Sequence, residues 1–415
     1  KELVDCLRWV SKKLPKKYSL GDIQFLKRGK KKLPIAGIPD SLNTVRPYYY
    51  KGELIVEECS AFRMIVNLHD RISLTCHPLG ASSNEDDVNY TSQMDMYQKN
   101  SYRKLKTIYK RLFNMKKLNM PVFLMNIPTS YSTDICNNVW MEEYNKKDII
   151  VNKEKAIREI WELYSFLSSQ SFVYLLPTPA NCSFQDLVFV ANNGIVLEHL
   201  EEPIFIGANF KAKNRIGEEI IGMNFFKNMG FHVEQCPYFF EGEAELKHLY
   251  DNVYIGGYGI RSQKESYFWM EEKFNMKIIP LELTDPYNYH LDCTIFPLTK
   301  DKVIMAVDAF TKEEIKKVEK VSDIIPITVE QAHTGLANSV RVNNYLLNAS
   351  DIDFLSKRSE DYRLESSKNF RLEQIAGQNG MEVVYFNMEE YMKGGGLLSC
   401  CVLHVNRHSY NTDIL

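Results

Sequence analysis

Two adjacent cysteines close the stretch YMKGGGLLSCC, residues 391–401, a few positions after three consecutive glycines, Gly394 to Gly396. Cysteine attacks as a thiolate, and a thiolate forms where a cation or hydrogen-bond donors surround it. Glycines nearby let the backbone turn sharply or approach a ligand closely. A hairpin needs one or two glycines rather than three, and sequence neighbours do not readily form a disulfide. The stretch is therefore either a turn or the seat of a nucleophile. Cys401, leading into an apolar run, reads as inert core.

Three further stretches carry acid/base chemistry. In YHLDCTIF, read as a strand, His290 and Asp292 share one face and Cys293 takes the other. An imidazole beside a carboxylate suits proton transfer, although the same pair serves equally as a surface pair or a satisfied core histidine. In YFFEGEAELKHL, the acids Glu241, Glu243 and Glu245 follow two phenylalanines, either as buried cation binders or as charges at a helix start. In FQDLVFVANNGIVLE, strand alternation puts Asp186, Val188, Val190 and Asn192 on one face, as a polar bracket or as strand caps. A nucleophilic thiol, an imidazole and several carboxylates together suit a flat cation with an electrophilic carbon. A guanidinium is such a group, permanently charged and rich in donors that carboxylates grip in pairs.

The elements that must position these residues are short. From Met120 onward, apolar strands alternate with turns and helices: PVFLMNIP, FVYLLPTP, NVYIGGYGI, MKIIPLEL, KVIMAVDAF, IIPITV, NYLLNAS and MEVVYFN read as strands. NKEKAIREIWELYSFLSSQ reads as an amphipathic helix with Ala156, Ile157, Ile160, Trp161, Leu163, Tyr164 and Leu167 on one broad face. GEEIIGMNFFKNMG reads as a helix ended by its glycine. The pattern predicts an α/β chain, with several small sheets fitting at least as well as one doubly wound sheet.

The N-terminal part differs. Residues 1–50 hold twelve Lys/Arg against four Asp/Glu, including KRGKKK at 27–32. Without interleaved aromatics this reads as a solvated loop rather than an anion-binding face. ELIVEE and RISLTCHPLG read as strands, SSNEDDVNYTSQ as a polar loop and QKNSYRKLKTIYKRLFNMKKLN as a basic helix. A boundary falls near residue 118. The 415 residues suffice for two domains, and a net charge of −2 does not suit a nucleic-acid or anionic-lipid binder. No apolar run reaches 18 residues, and the opening KELVDCLRWVSKKL lacks a signal peptide's apolar stretch. The chain opens on Lys1 rather than Met, so the expectation is a start further upstream. Nine cysteines, odd in number and with no CxxC, point to reduced thiols in a cytoplasm-like compartment and to no zinc site.

In order along the chain, FLMNIPTSYSTD and NNVWM, LLPTPANCSFQDLVFVANNGIV, FFEGEAEL, GGYGIRS, YHLDCTIFPL and GGGLLSCC resemble the blocks of the guanidine-modifying amidinotransferase superfamily. That superfamily includes arginine deiminases, arginine dihydrolases and dimethylarginine dimethylaminohydrolases. The resemblance runs from about Pro121 to Val405. Gln185 stands where the family usually has Pro, and Val190 where it has Thr. The resemblance implies a five-bladed β/α-propeller, the pentein fold, over 119–415, preceded by an N-terminal α+β domain, 1–118, of unknown role. It implies Cys400, the first of the pair, as nucleophile; the spacing of Cys400 from the last glycine is one longer than in many members, which leaves Cys401 a minor candidate. It further implies His290 as general acid/base, Glu241 as its supporting acid, and Asp186 and Asp292 as guanidinium ligands. Asn192 stands where deiminases often have Asp, which points toward dihydrolases or amidinotransferases. Arg261 and Asn338 are implied as further substrate contacts, toward a carboxylate. The expected partner is a small guanidino compound such as arginine. No metal, cofactor, nucleic acid or membrane is expected, and a homo-oligomer is compatible. Hydrolase, amidinotransferase and non-catalytic guanidine binder all stay open at this point.

Overall fold

The computed structural model describes residues 120–411, except 148, 180 and 181, and four strands nearer the N-terminus: β1 (Pro47–Tyr50), β2 (Glu53–Glu58), β3 (Phe62–Asn67) and β4 (Leu74–His77). These four form one antiparallel sheet in sequence order, and both N-terminal strands expected from sequence are among them. The basic cluster at 27–32, the polar loop at 82–93 and the basic helix expected at 98–119 lie outside the described residues. The chain divides into two compact units, Lys1–Asn119 with Val173–Ala180, and Met120–Phe172 with Asn181–Leu415.

The second unit opens with β5 (Val122–Asn126), buried throughout, followed by α1 (Val139–Asn145) and α2 (Lys153–Gln170). The Asn152 side chain caps α2 by accepting from Lys155 N at 3.1 Å. Ala156, Ile160, Leu163, Tyr164 and Leu167 are buried along its inner face. The broad face expected from sequence is too wide: Ile157 and Trp161 are 40% and 46% exposed. After α2 comes β6 (Phe172–Leu176), which from Val173 onward belongs to the first unit.

One motif then recurs four times: an antiparallel hairpin, a crossover, and a third strand parallel to the second. First come β7 (Gly194–Leu197), β8 (Ile204–Gly207), α3 (Glu218–Met229) and β9 (His232–Gln235). Gly230, at φ +91°, ends α3 as its sequence predicts. Next come β10 (Leu246–Tyr250), β11 (Val253–Tyr258), α4 (Lys264–Phe274) and β12 (Lys277–Glu282). The third set is β13 (Ile295–Pro297), β14 (Lys302–Ala306), α5 (Lys312–Glu319) and β15 (Asp323–Ile327), followed by the short α6 (Val329–His333). The fourth is β16 (Val340–Val342), β17 (Tyr345–Ala349), α7 (Glu360–Gln378) and β18 (Glu382–Phe386). After α8 (Glu389–Met392), the last strand, β19 (Leu403–Asn406), pairs antiparallel with β5, so the two ends of this unit are stitched together. Apolar clusters sit between neighbouring sheets and helices; one joins Leu281, Leu291 and Met305 with Val318 of α5. This is the expected α/β architecture of small sheets.

The segments that carry the candidate residues are turns where strands were expected. YHLDCTIF is strand only from Ile295, and Leu291–Cys293 is a 3₁₀ turn. Leu291 N donates to Glu245 Oε2 at 3.1 Å instead of to a neighbouring strand. In DLVFVANNGIVLE the strand starts at Gly194, after a turn and a 3₁₀ turn over Val190–Asn193. Asp186 and Asn192 therefore sit in two successive turns rather than along one strand, and both line the same cleft. Ser399–Cys401 is likewise 3₁₀, and the strand waits until Leu403. Glu241 precedes a 3₁₀ turn, Gly242–Ala244, that leads into a strand, so its acids are not charges at a helix start.

Candidate active site

Every candidate residue except Arg261 sits at one kind of place, the turn just before a sheet's first strand. Asp186 and Asn192 precede β7, and Glu241 precedes β10. His290 and Asp292 precede β13, Asn338 precedes β16, and Cys400 precedes β19. Repetition of the motif thus brings residues more than two hundred positions apart into one cluster.

Cys400 is 5% exposed and lines a partly open cleft. Its Sγ lies 3.5 Å from Asp292 Oδ2 and receives Asn338 Nδ2 at 3.7 Å. Ser399 locks this turn: its N donates to Asn338 Oδ1 at 2.8 Å and its Oγ to Asp292 Oδ2 at 2.6 Å. Both polar ends of Asn338 are therefore spent on the Cys400 turn, and Asn338 is not in the cleft wall. Burial, and then the Asp292 charge, push the Cys400 thiol up to about 12. Cys401 is fully buried away from the cleft.

Behind the cleft, His290 Nε2 meets Glu241 Oε2 at 2.8 Å. Arg261 Nη1 donates to both Glu241 oxygens, at 3.1 and 3.3 Å, and its Nη2 donates to Asn137 O at 2.6 Å. Burial opposes the Glu241 charge, yet Arg261 and then His290 outweigh it and hold this carboxyl far below the usual carboxylate range. An ionised Glu241 is an acceptor, so Nε2 carries the His290 proton and Nδ1 keeps the lone pair. Burial lowers the His290 pKa, against the pull of Glu241, which favours the neutral ring. Arg261 stacks on Tyr289, 4.8 Å from the ring centroid, and both reach the cleft wall. The other two acids of the triplet serve elsewhere. Glu243 binds His404, and Glu245 accepts from Leu291 N.

The far wall holds Asp186 and Asn192. Asn137 Nδ2 donates to Asp186 Oδ2 at 2.5 Å, while Oδ1 has no hydrogen bond. Asn192 Oδ1 accepts from Arg215 Nη1 at 3.0 Å, and its Nδ2 is unpartnered. Arg215 also binds Glu218 Oε2 at 2.7 Å and lies over Phe210. Burial raises the Asp186 pKa, with Arg215 and Asn137 pulling the other way. Buried polar atoms without partners are unusual in a folded protein, and here two belong to residues that line one cleft. Sequence reading missed Arg215, Asn137 and Ser399. Nothing local marks Arg215, whose partners lie up to 29 residues away. Asn137 and Asn138 stand in NNVWM, a block noted for its order but not for its side chains. Gln185 ties these walls together: its amide exchanges two hydrogen bonds with the Ile135 backbone, which a proline there would not make.

The glycines answer to close contact. A Cβ on Gly394 would come 2.5 Å from Tyr131 Oη, and one on Gly396 would come 2.3 Å from the Phe189 ring. Gly395 has φ +75°, and its carbonyl accepts from Tyr289 Oη at 2.6 Å. Gly394 and Gly396 line the cleft beside Cys400. Two descriptions apply to the described residues alone. They include no group of three or more His, Cys, Asp or Glu placed to hold a metal, and no helix long and apolar enough to cross a membrane.

Comparison with known proteins places this geometry. Residues 1–111 match a family profile described as penicillin amidase, a similarity confined to that segment. The bifunctional arginine dihydrolase/ornithine cyclodeaminase AgrE of Nostoc is 27% identical over 287 residues, 68% of this chain and 37% of that protein. The chain thus spans little more than a third of that relative. The N(G),N(G)-dimethylarginine dimethylaminohydrolase of Mycobacterium tuberculosis is 22% identical over 288 residues, covering 68% of this chain and 85% of that enzyme. A crystal structure of an ArgZ N-terminal domain variant, covalently bound to a reaction intermediate, superposes with a TM-score of 0.59 at 25% identity. It covers 69% of this chain and 98% of that one. The profile described as N,N dimethylarginine dimethylhydrolase, eukaryotic, matches residues 125–407, through every turn that feeds the cleft, and the chain therefore belongs to that family, among the pentein guanidine-modifying enzymes.

Proposed function

We propose that residues 119–415 form a cysteine-dependent hydrolase of arginine or a closely related guanidino compound, acting through an amidino-thioether on Cys400. One observation carries this reading: Cys400 and Asp186, whose Oδ1 has no hydrogen-bond partner, line the same cleft. A planar guanidinium offers paired N–H donors to such a carboxylate while its carbon faces the sulfur. The arginine dihydrolase activity named for AgrE supports arginine as the substrate, and Asn192 fits the same branch. Arg261 and Arg215 on the walls suit a substrate carboxylate. The recurring hairpin-and-crossover motif supports a five-bladed propeller about the site, with residues 1–118 as a separate domain.

The free protein holds Cys400 as a thiol. A bound guanidinium adds positive charge beside the sulfur and favours the thiolate, and His290 Nδ1 takes the proton. The sulfur forms a bond to the guanidinium carbon. His290 returns the proton to one nitrogen as its C–N bond breaks, so a neutral amine leaves. Water then adds to the amidino-thioether, giving its proton to His290, and collapse breaks the C–S bond.

Incubation with arginine, with and without glycine as acceptor, tests the reading. Ammonia with citrulline or ornithine is expected, together with an adduct mass on Cys400 in quenched samples. Ornithine with a new guanidino compound would instead mark an amidinotransferase. Arginine binding without turnover would mark a non-catalytic guanidine binder.

A further inference from the structure

A second pocket shares no lining residue with the cleft, although Ser399 in its wall adjoins Cys400. Its polar wall is made by Lys247, Glu243, His404, Arg407 and Tyr410. Lys247 and Arg407 are 6% and 8% exposed, so two cations are buried side by side. The Arg407 guanidinium lies flat on Tyr410, 3.9 Å from the ring centroid, which fixes its plane. Arg407 Nε and Nη2 have no hydrogen-bond partner. These two nitrogens form one edge of the guanidinium, and their N–H bonds run parallel at the spacing of two oxygens of one oxyanion.

The protein's own carboxylates leave that edge unpaired. Glu243 Oε2 accepts from His404 N at 2.8 Å and Oε1 from His404 Nδ1 at 2.5 Å, with Arg407 Nη1 only at 3.8 Å. Glu198 accepts from the Arg407 backbone N at 2.7 Å rather than from its side chain, and burial pushes its pKa to about 7. Two cations thus line the pocket with one ionised Glu243, while burial makes the nearby Glu198 hold its charge less readily. His404 Nδ1 serves Glu243, so a neutral ring presents a lone pair at Nε2, which is also unpartnered. The cavity therefore combines a two-toothed anion grip, a second cation and one acceptor for an O–H group.

We infer that this cavity is a binding site for a small oxyanion that carries a hydroxyl, with Arg407 gripping two oxygens, Lys247 adding charge and His404 Nε2 accepting the hydroxyl. Inorganic phosphate is the probe, and bicarbonate shares the chemistry. The bound anion sits against Ser399, whose Oγ holds Asp292 beside the Cys400 sulfur.

Titration calorimetry of the full chain with phosphate, at constant ionic strength in chloride, tests this. One site is expected, with a dissociation constant on the order of 0.1–1 mM. Arg407→Lys keeps the charge and loses the paired edge, so binding weakens about tenfold or more. Cys400→Ala, or saturating arginine, leaves phosphate binding unchanged. Sulfate, which has no hydroxyl at neutral pH, binds more weakly than phosphate; equal binding removes His404 from the site. A parallel bicarbonate titration shows which oxyanion the cavity prefers. Absence of phosphate binding at 5–10-fold above about 1 mM, equal affinity in Arg407→Lys, or competition by arginine overturns the proposal. Should Arg407→Lys fail to fold by circular dichroism, Lys247→Met carries the same comparison, with the same expected loss.

Discussion

Asp292 and Cys400 face each other at 3.5 Å, carboxylate oxygen to sulfur, with Ser399 Oγ bridging onto the same oxygen. This contact disfavours a thiolate until a cation arrives, so the nucleophile rests protonated. Asp292→Asn removes the opposing charge. Alkylation of Cys400 by iodoacetamide in the free protein at pH 8 is expected to rise by about tenfold for each unit its pKa falls. Turnover falls in the same variant. An unchanged alkylation rate would mean that burial alone sets the thiol.

Glu241 is buried between Arg261 and His290, and its folded pKa is depressed. The unfolded chain therefore binds a proton here first as pH falls. The stabilisation is complete above the unfolded carboxylate pKa, about 4.3, and drains away as pH drops toward the folded value. Glu241→Gln leaves Arg261 buried without its counter-charge, at a cost of about 3–5 kcal/mol. Urea denaturation at pH 7 measures that loss. The same variant has a shallower fall in stability below about pH 4.3, and a slope matching the wild type would contradict the assignment.

Asp186 lines the cleft and its Oδ1 has no hydrogen-bond partner. Asp186→Asn keeps the shape and the Asn137 contact but halves the acceptor capacity and removes the charge. Loss of one charge-assisted pair predicts a fall of about 10²-fold in kcat/KM for arginine. The melting temperature is expected to stay near that of the wild type or to rise, because burial already raises this carboxyl's pKa. Steady-state kinetics beside a thermal melt separates the two effects.

Gly396→Ala drives a methyl into the Phe189 ring, a contact of 2.3 Å before any relaxation. The overpacking costs about 1–3 kcal/mol and closes the cleft, so activity falls with stability. Gly395→Ala forces φ +75° on a residue with a side chain, costing about 1 kcal/mol or more, and crowds Asn138. Denaturant midpoints for both variants, set against Gly377→Ala at an open helical position, provide the scale.

Much of the fold is legible along the chain because its causes are local. The buried run of β5, the Asn152 cap that starts α2, and Gly230 that ends α3 each act within a few residues. The sheets are small and repeat, which short alternating runs already convey. The turns at the feet of those sheets were not legible, because their backbone groups find partners elsewhere. Leu291 N reaches Glu245 across 46 residues, and Ser399 N reaches Asn338 across 61. Strand formers such as Val188 and Val190 carried the strand reading there, and tertiary hydrogen bonding overrode it.

The sequence by itself determined which side chains are available and in what order: Asp186, Asn192, Glu241, His290, Asp292 and Cys400. Only the tertiary structure decided which of two adjacent cysteines meets the cleft. It also decided that Asn338 holds the Cys400 turn, that Arg215 pairs with Asn192, and that Glu241 and Glu243 serve different histidines. The reason is physical. Propensity and periodicity act over a few residues, whereas charge pairing in a buried site acts over a few ångströms, and only folding makes those two distances meet.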